Sequence, residues 1–302
     1  MKKTLVTGGS GFIGRHMLPL LSNANHEVHA VSYKQNKTTV NGIHWHRIDL
    51  TDASQLKKLV AEVKPTHLLH FAWSMKPGQY WDDPKNICWV KVSLELLQAF
   101  SDHGGERLVM AGTCAEYAWG GGICSETTTP LKPTTLYGSC KSGLQMMVES
   151  FCRKTQLSIS WARIFNVYGP CEPKERLVSS VICSLLQGEP AKCSHGNQNR
   201  DLLYVEDVAS AVVSLLESNV EGAVNIGSGK YVMLKDVIEM IGEKIGRSDL
   251  IRLGQISSSS GEPSLLVADT KRLREEVNWT QEFSLDEGLD RSIQWWKAHL
   301  EI

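Results

Sequence analysis

The chain is predicted to fold as an α/β protein, a doubly wound parallel sheet with a smaller C-terminal domain, and three observations carry this. Apolar runs of strand length alternate with helical patterns through most of the chain. A glycine-rich turn, Gly8-Gly9-Ser10-Gly11-Phe12-Ile13-Gly14, follows the first of those runs directly. With 302 residues and 42% hydrophobic content, the chain can bury a large core and carry a second, lesser domain.

The first strand, 3–7, is the short apolar run that ends in Leu5-Val6-Thr7. Glycines 8, 11 and 14 then let the backbone turn tightly, approach a pyrophosphate and pack a helix start against that strand. The helix, 12–24, is left with free N-terminal amides that hold phosphates. The spacing is GxxGxxG, not the commoner GxGxxG, and a glycine turn without a ligand is the alternative. Further strands are read at 27–32, 43–48, 67–72, 107–112, 158–164 and 223–226, and helices between them at 53–63, 85–103, 137–155 and 205–218. Residues 1–170 with about 201–227 form the dinucleotide domain in this reading. Residues 171–200 and 228–302, with helices near 234–246 and 285–299, form the substrate domain. The one biased stretch, Ser257-Ser258-Ser259-Ser260-Gly261, is expected to be a mobile loop over the site.

A net charge of -1 gives no electrostatic argument for binding nucleic acid or an anionic membrane. Met1-Lys2-Lys3-Thr4 runs straight into the first strand and no long apolar span follows, so a cytoplasmic protein is expected. Cysteines 88, 114, 124, 140, 152, 171, 183 and 193 form no CxxC pair, which suits reduced thiols better than disulfides or zinc. His44 and His46 offer two imidazoles on one strand face without a third ligand, so no metal site is expected.

Tyr137 and Lys141 stand four residues apart in a run that carries Leu144, Met147, Val148 and Phe151 at helical spacing, so both share one helix face. A neighbouring ammonium favours phenolate, and Lys141 is expected to lower the Tyr137 pKa from about 10. Thr113, 24 positions upstream, completes a proton-transfer set suited to an alcohol or ketone. Taken alone, YxxxK also describes an exposed helical pair.

Together these motifs resemble the extended short-chain dehydrogenase/reductase family, the nucleotide-sugar epimerases, dehydratases and reductases. The resemblance also covers Asp49-Leu50, Lys64-Pro65 leading into His67-Leu68-Leu69-His70-Phe71-Ala72, Arg163-Ile164-Phe165-Asn166-Val167-Tyr168-Gly169-Pro170, and Arg200-Asp201-Leu202-Leu203-Tyr204-Val205-Glu206-Asp207-Val208. It implies a Rossmann domain whose cofactor lies against Gly8, Gly11, Phe12, Ile13, Gly14, Asp49, Leu50, Phe71, Ala72 and Trp73, with Asp49 accepting from the adenine amino group. It implies a catalytic triad of Thr113, Tyr137 and Lys141, the last two also touching the nicotinamide end. Asn166 and Arg200 are then expected on the diphosphate of a nucleotide sugar, with a salt bridge from Arg200 to Asp201 or Glu206 as the alternative. Trp73 takes a place where the family usually has a small residue, as nicotinamide neighbour, sugar-pocket wall or core. Trp89 replaces an Asn common in relatives. A homodimer through helices 85–103 and 137–155 is also implied.

Cofactor choice is read at the end of the second strand, Ala30-Val31-Ser32-Tyr33-Lys34. A carboxylate there would accept from the adenosine ribose; none is present, and Ser32 with Lys34 can hold a 2′-phosphate, so NADP(H) is favoured over NAD(H). The segment Ala111-Gly112-Thr113-Cys114-Ala115-Glu116-Tyr117 narrows the reaction. Alanine and a thiol replace the Asp-Glu pair of 4,6-dehydratases, and the Cys and His of double epimerases are not in place. Two reactions survive, NADPH-dependent reduction of a 4-keto sugar nucleotide and 4-epimerisation with bound NAD. The motif most resembles the deoxysugar 4-ketoreductases. A third reading, a regulator that binds a dinucleotide without catalysis, sits poorly with an intact triad.

Overall fold

The computed structural model describes residues 1–33, 41–257 and 261–300; Lys34 and Ser258 to Ser260 of the serine-rich loop lie outside the described residues. Seven strands form one parallel sheet: β1 (Lys3–Thr7), β2 (Glu27–Ser32), β3 (Ile43–Arg47), β4 (His67–His70), β5 (Arg107–Thr113), β6 (Ser158–Ile164) and β7 (Gly222–Ile226). Their order is β7-β6-β5-β4-β1-β2-β3, so the sheet reverses its winding at β1 and β4. In register, Val6 faces Ala30 on β2 and Leu69 on β4.

Two apolar layers sandwich this sheet. On one face, Met17, Leu18 and Leu21 of α1 (Gly14–Asn23) pack with Val208, Val212 and Leu216 of α6 (Val205–Glu217). On the other lie Leu56 and Val60 of α2 (Ala53–Val63), Leu96 and Phe100 of α3 (Lys85–Asp102), and Leu144 and Val148 of α4 (Leu136–Thr155). Each fully buried aliphatic or Phe side chain contributes about 1.5–3 kcal/mol, so the helical spacing read in the sequence is what anchors the helices. Asp52 starts α2 by accepting from Ser54 N and Gln55 N, and Thr135 starts α4 by accepting from Gly138 N.

Every strand expected from the sequence is present, three of them end to end and the rest with an end displaced by one or two residues. The strand expected over 67–72 stops at His70, because Phe71 and Ala72 leave the sheet to run under the glycine turn; Phe71 N still donates to Thr7 O. The region 171–200 holds a helix not expected from the sequence, α5 (Leu177–Leu186), in which Val178, Val181, Ile182 and Leu185 recur at helical spacing and are buried. With α7 (Leu234–Ile245) and α8 (Leu285–His299) it encloses a separate core of Val181, Ile182, Leu185, Val237, Ile241, Leu289, Ile293 and Trp296. A four-stranded sheet joins Val232–Met233, Asn199–Arg200, Leu265–Ala268 and Gly122–Cys124, so segments from both expected domains share it. The parallel pair Asn166–Tyr168 and Leu202–Tyr204 brings Asn166 opposite Leu202. No described helix is long and apolar enough to cross a membrane.

Candidate active site

The glycine turn closes on itself where the winding reverses, the place at which open α/β sheets take their ligands. Gly11 N donates to Gly8 O at 2.9 Å. Gly8 has φ +75, and a Cβ there would meet the Phe71 carbonyl carbon and Ala72 N at 2.7 and 2.8 Å. A Cβ on Gly14 would run into Gly8 O, so both positions demand glycine. Two cavities of 340 Å³ each open from this turn. One is lined by Gly8, Gly11, Ser32, Asp49, Leu50 and Ala72, the other by Phe12, Ile13, Gly14, Thr113, Tyr137 and Lys141. Phe71 and Trp73 line both. Thr51 donates from N and Oγ1 to Asp49 Oδ1 at 2.9 and 2.7 Å, which fixes that carboxylate at the rim. A bare backbone turn at a helix start, flanked by one pocket with an acceptor and one with proton-transfer groups, fits a dinucleotide.

Thr113 ends β5 and caps a 3₁₀ turn, Cys114–Glu116: its Oγ1 accepts from Ala115 N at 3.2 Å while Glu116 Oε1 accepts from Thr113 N at 2.8 Å. Tyr137 and Lys141 stand on successive turns of α4, and both side chains are buried. Tyr137 N donates to Trp81 O at 2.8 Å, tying the start of α4 to the segment before α3. Tyr80, Trp81 and Trp73 surround the phenol ring at centroid distances of 5.1, 6.0 and 6.2 Å. The Lys141 ammonium donates to Ala111 O at 2.8 Å and lies 3.7 Å from the centre of the Trp73 ring.

The electrostatics correct one expectation. Burial first, and Tyr80 second, push the Tyr137 phenol well above its ordinary range; the Thr113 hydroxyl beside it pulls the other way, and Lys141 is not among the influences on it. Burial also lowers Lys141 to about 7, against the pull of Glu116. The expected lysine effect on the phenol is absent because desolvation dominates both groups and the ammonium is turned onto Ala111 O and the Trp73 face.

Behind Thr113 lies a buried network that the sequence did not disclose. Arg163 donates from Nε to Glu116 Oε2 at 2.8 Å and from a terminal nitrogen to Gln145 Oε1 at 2.7 Å. Trp161 Nε1 donates to Glu116 Oε1 at 3.0 Å, and Tyr117 donates to Asn225 Oδ1 at 2.7 Å. Arg163 and Glu116 lie 47 positions apart, so only the sheet brings them together.

A third cavity, 380 Å³, adjoins the second and shares Tyr80, Trp81, Asn166 and Arg176 with it. Asn166 Nδ2 donates to Asp201 O at 3.0 Å. Arg200 lines this cavity too, donating to Pro263 O at 2.8 Å with Glu262 Oε2 at 3.7 Å. The alternative partners Asp201 and Glu206 are otherwise engaged: Asp201 accepts from Ser228 N and Gly229 N, and Glu206 lies against Arg291. Arg176, at the start of α5, is a second guanidinium on the cavity wall that was not expected from the sequence. Trp89 stacks beside Trp73 at 6.3 Å and reaches the first cavity. Among the described residues no group of three or more His, Cys, Asp or Glu side chains is placed to hold a metal ion.

The model of the NAD dependent epimerase/dehydratase family matches residues 4–227, and the chain belongs to that family. The resemblance read from the motifs is borne out, and the protein is an oxidoreductase-type enzyme. The chain is 26% identical to the UDP-glucuronate 4-epimerase of Thermodesulfobacterium geofontis, over 99% of this chain and 97% of that protein. Its fold superposes on the crystal structure of a Thermus thermophilus UDP-glucose 4-epimerase in complex with NAD, with TM-score 0.89 and 25% identity, covering 99% of this chain and 100% of that one. It superposes equally on MoeE5 in complex with UDP-glucuronic acid and NAD, with TM-score 0.88 and 29% identity, covering 99% and 100%.

Proposed function

We propose that the protein uses NADPH to reduce the 4-keto group of a nucleotide-activated deoxysugar. The observation that carries this is the end of β2, where buried Ser32 precedes exposed Tyr33 and no carboxylate follows the glycine turn at the place that would meet the adenosine ribose. A 2′-phosphate meets no like charge from that strand end.

The dinucleotide supplies hydride; the chain supplies the rest. Tyr137 gives its hydroxyl proton to the carbonyl oxygen, and Thr113 donates a hydrogen bond to the same oxygen. Lys141 would hold the ribose of the cofactor. Arg176 and Arg200, on the wall of the third cavity, would hold the diphosphate, and Asn166 lines both the second and third cavities. The exposed Ile87 on α3 and Met146 and Met147 on α4 support pairing of two copies through those helices.

A second reading, 4-epimerisation with bound NAD, is favoured by the relatives named as 4-epimerases and by the NAD in the two structures above. One experiment separates the readings. UDP, dTDP, GDP and CDP 4-keto-6-deoxysugars are assayed for NADPH oxidation, with product C4 configuration read by NMR and Tyr137→Phe as control. Reduction of one of them, lost in Tyr137→Phe, is expected. Failure of all four, with interconversion of UDP-glucose and UDP-galactose, would establish the epimerase.

A further inference from the structure

We propose that Trp73 is a positioning residue for Lys141: the Asn86 carboxamide pins the indole, and the face of the indole holds the ammonium in place within the cleft. This rests on the proposed role of Lys141 in the triad.

The relay is built from short, buried contacts. Trp73 Nε1 donates to Asn86 Oδ1 at 2.7 Å. Asn86 is buried near the start of α3, and its Nδ2 donates to Tyr80 O at 2.7 Å and Asp83 O at 2.9 Å. The carboxamide therefore spends its carbonyl on the indole and its amide protons on the loop before α3. Trp89 packs on the indole at 6.3 Å, and the ammonium lies 3.7 Å from the ring centre. That is close cation–π contact at a desolvated site, where the attraction is strongest. With one proton on Ala111 O and the charge against the ring, the ammonium keeps donor capacity for the cleft.

The indole opposes the tendency of this pocket to neutralise the lysine. Among the described residues, Glu116, Cys140 and His70 interact with the ammonium's charge, and Tyr137 stands one turn away on the same helix. Glu116, from the turn after β5, favours its charge but is already paired with Arg163. Cys140 on α4 also favours it. His70 on β4 is pressed down to about 3 by burial and so stays neutral, bonded to Thr7 and Ser93. Tyr137 on α4 keeps its proton. Burial alone outweighs these groups and lowers Lys141 to about 7, which makes the ring face the support that remains.

The test reads the lysine directly and needs no substrate. Lys141 in the full-length protein is titrated by competitive labelling with acetic anhydride across pH, its modified peptide quantified by mass spectrometry, in wild type, Trp73→Phe and Trp73→Leu. Phenylalanine keeps a π face and leucine keeps the pocket apolar without one. The expected result is a midpoint about one pH unit lower in Trp73→Leu and within about half a unit of wild type in Trp73→Phe. Coincident midpoints in wild type and Trp73→Leu would overturn the proposal, as would equal shifts in both variants. Thermal unfolding of each variant confirms that a folded protein is being read. A shifted midpoint combined with full turnover in Lys141→Met would leave the relay standing and refute the catalytic role instead.

Discussion

Arg163 and Glu116 form an ion pair at 2.8 Å with both side chains sealed from water, and the same Glu116 carboxylate accepts the backbone N–H of Thr113. Burial would discourage the Arg163 charge, but Glu116 and Tyr117 beside it together outweigh that and hold the guanidinium above its ordinary range. Removing one partner strands the other charge in the core. Arg163→Met is expected to lose about 3–5 kcal/mol of unfolding free energy in urea, and the double change Glu116→Gln, Arg163→Met to lose less than Arg163→Met alone. A loss below about 1 kcal/mol in Arg163→Met would mean the pair is not what fixes this turn.

Much of this arrangement was legible in the sequence, and the reasons are local. The glycine turn, the strand before it and Tyr137 with Lys141 one helical turn apart are short-range patterns, and backbone sterics and helix period decode them. Glu116 and Arg163 were visible only as residues of two separate motifs, because their meeting depends on β5 lying beside β6. Arg176 and α5 were missed although Val178, Val181, Ile182 and Leu185 recur at helical spacing, because the segment carries none of the motifs that marked the rest of the site. The phenol's direction of titration was misread for a different reason. Spacing shows that an ammonium is near, but not that burial outweighs it.

For the proposed reduction, the pH dependence follows from two titrations. Productive enzyme needs Tyr137 protonated and Lys141 charged. Burial keeps the phenol protonated through the neutral range, while Lys141 loses its charge near pH 7. The value of kcat/KM, which reports the free enzyme, is therefore expected to be level at acid pH and to fall about tenfold per unit as pH rises above about 7. A pH–rate series under NADPH excess checks this, and a profile level to pH 9 would contradict it.

Glu172 lines the third cavity almost wholly buried, with Ser179 N donating to its Oε2, and burial pushes its carboxyl up to about 8. The folded state therefore holds this proton more tightly than the unfolded chain. Stability contributed by the protonated group is full at low pH and is lost as pH rises from the ordinary carboxylate range through about 8. Glu172→Gln keeps the shape without the titration. The variant is expected to match wild type near pH 4.5 and to exceed it by about 2–4 kcal/mol at pH 8.5. Urea midpoints measured at both values decide the matter, and equal gains at both would show that ionisation is not the cause.

Cofactor choice is open to the most direct test, because one side chain at the end of β2 is asked to carry it. Ser32 is buried, 7% exposed, and lines the first cavity with Asp49 and Leu50. A carboxylate at that position would accept from the two ribose hydroxyls of NADH but would stand against a 2′-phosphate, and like charges at such a separation repel strongly in a partly desolvated site. Ser32→Asp is therefore expected to weaken NADPH binding about 10- to 100-fold while leaving NADH binding equal or tighter, a change of roughly 1.4–2.8 kcal/mol in preference. Dissociation constants from nicotinamide fluorescence titration measure both. If wild type itself binds NADH more tightly than NADPH, the proposed net reduction loses its main support and the bound-NAD epimerase gains it. The substitution then distinguishes further: an NAD epimerase with no ribose acid at β2 should be improved by acquiring one, whereas an NADPH reductase should be impaired.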